Sequence, residues 1–138
     1  MKTHTLLTGL FILLSYFVLA QTSNYKVVFD MTSKDSVNQQ SLIRQLSSIR
    51  ELNPAAKLEV VIYGQGLGLV TKEGSAQQPA VSRLLTTDGI SFKVCAITMK
   101  RYNIDKAQLL PGVEIVPDGI YEIISKQQEG WGYIKVAH

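Results

Sequence analysis

Ser91-Phe92-Lys93-Val94-Cys95-Ala96-Ile97-Thr98-Met99-Lys100-Arg101 is the stretch whose reading decides the fold. It reads as a short buried strand that ends on the only cysteine of the chain and passes at once into a helix. A cysteine at such a junction sits where the first free N–H groups of the helix and its positive dipole end point. That environment lowers a thiol pKa and favours the thiolate. Free cysteine is also among the most buried residue types, so an inert core thiol fits the same stretch.

Working outward toward the N-terminus, Thr71 to Pro79 reads as a polar loop. A short amphipathic helix marked by Val81, Leu84 and Leu85 follows it and closes at Asp88-Gly89. Before that loop, Leu58-Glu59-Val60-Val61-Ile62-Tyr63 is a β-branched strand running into Gly64-Gln65-Gly66-Leu67-Gly68. The third glycine falls too early for a dinucleotide fingerprint, and the segment follows a second strand, so a turn shaping a pocket rim is expected. Earlier still, Tyr25 to Met31 is a consecutive apolar strand of the kind buried on both faces of a parallel sheet. A helix with Leu42, Leu46, Ile49 and the flanking Ile43 on one stripe links these two strands and stops at Asn53-Pro54.

Toward the C-terminus, Asn103 ends the helix after Cys95, and Asp105 caps one further turn before Pro111-Gly112. Val113 to Val116 is a fourth strand. Asp118 caps a last helix with apolar positions at Ile120, Ile123 and Ile124, ended by Gly130. Trp131 to Val136 is a more polar strand suited to a sheet edge or a subunit contact. Strands alternating with helices predict an α/β domain whose open, mainly parallel five-stranded sheet carries helices on both faces.

The first twenty residues read as a signal peptide: Lys2, an apolar run from Leu6 to Leu19, and a small-residue site at Val18-Leu19-Ala20. The run is shorter than a bilayer-spanning helix needs, so no membrane association is expected after cleavage, and a single domain spans residues 21–138. The protein is then exported, periplasmic or secreted. Of fourteen basic and eleven acidic side chains, one basic residue lies in the leader, and the near balance argues against nucleic acid binding. Lys100, Arg101 and Lys106 read as a solvated face.

One cysteine cannot form an internal disulfide in an oxidising compartment, which leaves it buried and inert, bonded to another chain, or reactive. With His138 the only histidine beyond the leader, no base is at hand for a cysteine hydrolase. No C-x-x-C pair supports dithiol exchange, no ligand set supports a metal, and no cofactor is implied. A lone thiolate can still bind a sulfane sulfur and hand it on. In an open α/β sheet the ligand edge is at the C-terminal strand ends, where strand order reverses. A strand order of 2-1-3-4-5 would set Asp30, Thr32 and Ser33 opposite Cys95, with Gly64 and Gly66 on the far side and Thr98 one helical turn from the sulfur.

Val27-Val28-Phe29-Asp30, Gly64-Gln65-Gly66, Gly89-Ile90-Ser91-Phe92-Lys93-Val94-Cys95 with Thr98-Met99-Lys100, Leu109-Leu110-Pro111-Gly112-Val113 and Gln127-Gln128-Glu129-Gly130-Trp131-Gly132-Tyr133-Ile134 together resemble the exported branch of the DsrE/DsrF-like family. The resemblance implies a flavodoxin-like fold, a homo-oligomer (trimer or hexamer), and a sulfur relay with protein donors or acceptors in which Cys95 carries a persulfide. Many relatives have histidine where this chain has Tyr63. A second reading is a non-enzymatic oligomeric binding module in which Cys95 only lines the pocket.

Overall fold

The computed structural model describes residues 24–136. The signal-peptide reading of residues 1–20, and His138, lie outside the described residues. Five strands, β1 (Lys26–Met31), β2 (Lys57–Ile62), β3 (Ile90–Cys95), β4 (Glu114–Val116) and β5 (Gly132–Val136), form one sheet in which every neighbouring pair is parallel. Four helices connect them: α1 (Ser36–Leu52), α2 (Gln78–Leu85), α3 (Ala96–Arg101) and α4 (Gly119–Gln128). This is the expected open α/β sheet of flavodoxin-like type, with helices on both faces.

The strand order is β4-β3-β2-β1-β5, which corrects the 2-1-3-4-5 expectation. The three steps from β1 to β4 all run in one direction, so right-handed crossovers set α1, α2 and α3 on one face. The step from β4 to β5 runs back across the sheet and carries α4 over the other face. Order therefore reverses between β1 and β5, not between β1 and β3, and β2 separates Asp30 from Cys95.

Alternation along the strands sorts the side chains. Phe29, Met31, Val60, Ile62, Phe92 and Val94 point into the main core with Leu42, Leu46, Val81 and Met99. Phe29 and Phe92 are fully buried there, each contributing about 1.5–3 kcal/mol. The opposite face is thinner: Val28 and Val61 pack with Ile123 of α4, and Tyr63 lies against them. That face otherwise carries polar groups, which explains why only Ile123 of the expected α4 stripe is buried while Ile120 and Ile124 stay exposed.

Caps account for the helix ends. The Asp35 side chain accepts from the Val37 N–H at 2.7 Å to start α1, and the Asn53 N–H returns to the Ile49 carbonyl. Two boundaries depart from the sequence reading. The glycine segment is wound into a 3₁₀ helix, Gly64–Val70, and α2 begins at Gln78, inside the expected loop, with Pro79 in its first turn. Asp105 and Gln108 form the capping box of the further 3₁₀ turn Lys106–Gln108.

Candidate functional site

Cys95 is the last residue of β3 and the N-cap of α3. It is a free cysteine, 5% exposed, on the sheet face covered by α4. At the start of α4 the Asp118 side chain accepts from the N–H groups of Ile120 and Tyr121 at 2.9 and 3.3 Å. The preceding N–H, that of Gly119, is left to the sulfur. Burial pushes the Cys95 thiol up, but the Gly119 N–H, the N–H and hydroxyl of Thr98 and the Ile97 N–H outweigh it and hold the pKa below its ordinary value. The junction thus favours the thiolate.

Gly119 is a glycine for a steric reason. A Cβ there would stand 3.1 Å from the Cys95 Cβ and 3.2 Å from Val61 Cγ1. Thr98 is buried, and its Oγ1 accepts from the Gly64 N–H at 3.2 Å. With that lone pair occupied, the hydroxyl proton is free to point at the sulfur. The structure therefore brings together Cys95, Thr98 and Gly64. Gly66 has a packing role instead: a Cβ would lie 2.6 Å from the Met31 carbonyl oxygen, so its absence lets the 3₁₀ helix close onto the end of β1.

Asp30 and Thr32 belong to a second cluster at the β1/β5 reversal. Asp30, buried, accepts from Tyr133 at 2.7 Å, Lys135 at 3.0 Å and Tyr63 at 3.2 Å. Lys135 also donates to Thr32 Oγ1 at 2.9 Å and lies 5.6 Å from the Tyr63 ring centre. Burial, followed by the charge of and hydrogen bond to Asp30 and by the charge of Cys95, pushes Tyr63 up to about 12. Burial and the Asp30 bond do the same for Tyr133. Tyr63 is thus a phenol that donates and does not act as a base near neutral pH. It stands between the two clusters: the Gly119 Cβ position that is 3.1 Å from Cys95 is 3.7 Å from Tyr63 Cδ1.

A third polar group fastens α4. Lys93 Nζ bridges Glu59 at 3.0 Å and Glu122 at 2.8 Å. Glu59 is 3% exposed and its Oε1 has no hydrogen-bond partner. Burial, with a further push from neighbouring Glu122, raises its pKa to about 7 against the pull of Lys93. The expected pocket rim is also present: Gly64, Gln65, Leu67, Gly68, Tyr102 and Ile104 line a cavity of about 210 Å³, of which Cys95 is not a wall.

Sequence reasoning did not single out Gly119, Tyr133 or Lys135 for the site. The Asp118-Gly119 pair carried the available signal, since a glycine directly inside a capped helix start marks a close approach. Among the described residues no group of three or more His, Cys, Asp or Glu side chains is placed to hold a metal ion.

Residues 26–136 match the model of the DsrE/DsrF-like family. Among solved structures, a protein of unknown function from Methanobacterium thermoautotrophicum is similar at 31% identity and TM-score 0.76, over 80% of this chain and 98% of its own. The ychN protein from E. coli aligns at 16% identity and TM-score 0.68, over 81% of this chain and 98% of its own. A conserved protein of unknown function from Bacteroides thetaiotaomicron aligns at 15% identity and TM-score 0.69, over 85% and 99%. The last two likenesses concern the fold alone. No curated protein matches the chain.

Proposed function

The chain belongs to the DsrE/DsrF-like family, and from that premise we propose that Cys95 is a sulfane-sulfur carrier. The observation that carries this reading is the convergence on one sulfur of N–H groups from the starts of α3 and α4, with the Thr98 hydroxyl, against the cost of burial. The Cys95 thiolate attacks the outer sulfur of a donor persulfide, R–S–SH. A new S–S bond forms as the donor bond breaks, R–S⁻ leaves, and Cys95–S–SH remains. An acceptor thiolate then attacks that outer sulfur and Cys95 departs as the thiolate, so the cycle needs no external oxidant or reductant. The N–H groups that lower the thiol pKa also make Cys95 the better leaving group in the second step.

Small exposure of the sulfur agrees with delivery by a docked protein. Ile97 in the first turn of α3 and Ile120 and Tyr121 in the first turn of α4 are exposed around it. We assign this apolar surround to contacts with a second copy of the chain, as trimer or hexamer, and with the protein donor or acceptor. The leader-like residues 1–20 support export to the periplasm or medium. Fractionation, with the mature N-terminus expected at Gln21, tests that assignment.

Treatment with a persulfide donor followed by intact mass tests the carrier reading: wild type gains a reducible adduct of ~32 Da, one sulfur atom, and Cys95→Ser does not. Equal uptake by the serine variant defeats it. The alternative binding-module reading draws on the burial of Cys95 and on the separate cavity beside Gly64 to Gly68. It predicts a ligand that stabilises wild type and Cys95→Ala alike.

A further inference from the structure

At the opposite end of the sheet from Cys95, α1 and α2 leave a cavity of about 330 Å³ lined by Ile43, Ser47, Arg50, Arg83, Leu84 and Thr87, among others. It opens beside Ile90, the first residue of β3. Five strand steps at ~3.3 Å separate it from Cys95, about 17 Å along β3. The cavity therefore has no part in the thiol chemistry.

Its walls hold two guanidinium groups and no carboxylate. Arg50 Nη1 donates to the carbonyls of Pro54 and Ala56, tying down the turn after α1. Arg50 Nε is buried with no hydrogen-bond partner, and a buried guanidinium N–H left unmatched is costly. Among the described residues neither Arg50 nor Arg83 lies in an ion pair. Both sit in the last turns of their helices, where the macrodipole favours a cation. Each helix end offsets only about half a unit charge, so two arginines leave about one net positive charge facing the cavity. Ser47 and Thr87 spend their hydroxyl protons on the Ile43 and Arg83 carbonyls. The side-chain donor left open to a ligand is then the Arg83 guanidinium, with the Arg50 charge beside it, and Ile43, Leu84 and Ile90 supply an apolar floor.

We propose that this cavity binds a small organic monoanion, a carboxylate on a short apolar body. The head pairs with the exposed Arg83 guanidinium in the field of the Arg50 charge, and the body rests on Ile43, Leu84 and Ile90. A doubly charged ion would exceed the net charge of the site, and a neutral molecule would leave the guanidinium groups unmatched. The volume is at the small end of ligand pockets, which suits an acid of a few carbons.

The test is an amide-resolved NMR titration of the mature protein with sodium hexanoate, run beside hexanol and beside sodium chloride at equal ionic strength. Hexanoate should give saturable shifts confined to the amides of Ser47, Leu84, Thr87 and Ile90. Arg83→Ala, a change at an exposed position that leaves the Arg50 tether intact, should weaken binding about tenfold, the size of one charge-assisted hydrogen bond. Shifts from hexanol equal to those from hexanoate would reduce the site to an apolar dent and overturn the assignment. So would unchanged affinity in Arg83→Ala, or the absence of saturable shifts.

Discussion

Gly119 and Cys95 are fitted to one another: the space a Cβ would take at Gly119 is 3.1 Å from the Cys95 Cβ. The same closeness brings the Gly119 N–H to the sulfur. Gly119→Ala crowds the Cys95 Cβ and Val61 Cγ1, at 3.1 and 3.2 Å, so the start of α4 or these side chains must give way. The expected cost is about 1–3 kcal/mol in chemical denaturation, the usual range for overpacking. The pH midpoint of iodoacetamide alkylation at Cys95, expected below the ~8.5 of a free thiol in wild type, should rise in the variant. An alanine variant with wild-type stability and an unmoved midpoint would show that this contact does not set the thiolate.

Thr98 connects two elements through one hydroxyl, accepting from Gly64 at 3.2 Å and assisting the Cys95 thiolate. Thr98→Val keeps the shape and removes both bonds, leaving the Gly64 N–H without its partner. A loss of about 1–2 kcal/mol is expected, with slower alkylation near neutral pH. Thr98→Ser restores the hydroxyl and should recover most of the rate. If valine and serine behave alike, packing rather than hydrogen bonding explains the residue.

The parts of this site that were legible in the sequence are those made by near neighbours. Consecutive apolar residues placed β1 and β2, and the strand-to-helix junction placed Cys95 with Thr98 one turn on. Strand order was not legible, because the chain returns to β5 through a crossover whose length does not say which edge it reaches. The 2-1-3-4-5 expectation therefore put Asp30 opposite Cys95, where the structure inserts Tyr63. Helix periodicity misled at α4 for a related reason. Ile120 and Ile124 lie near the stripe of Ile123, but the sheet face beneath offers only Val28 and Val61 as an apolar floor, with Glu59, Lys93 and Asp30 around them. Gly119 reaches Cys95 only through that unpredicted crossover.

Asp30 holds two phenols and one ammonium, and its charge and hydrogen bonds add to burial, the larger cause, in keeping both phenols from ionising. Asp30→Asn preserves an acceptor and removes the charge. Tyr63 and Tyr133, pushed up to about 12 in wild type, should then titrate lower, though burial still holds them above the free phenol value of ~10. Ultraviolet phenolate absorbance reads this directly, and Tyr133→Phe in the same background separates the two contributions. Unchanged titration in Asp30→Asn would leave burial as the sole cause.

Glu59 should make the protein less stable as pH rises through neutrality. Its folded pKa of about 7 exceeds the ordinary 4.5, so between those values the folded state holds a proton that the unfolded chain has released. Unfolding then gives up that proton, and stability falls as pH climbs from about 4.5 to 7 and levels off above. Glu122, held below its ordinary value chiefly by Lys93 against the push of burial, acts in the opposite sense and only at lower pH. Denaturant melts at pH 5 and pH 8 should therefore differ by on the order of 1–3 kcal/mol, with pH 5 the more stable. Glu59→Gln removes the titrating proton while keeping an amide between Lys93 and Glu122, and its stability should be flat across the same window. A wild type that gains stability toward pH 8 would mean that Lys93 holds Glu59 ionised, and that α4 is fastened by a full ion pair and not by a shared proton.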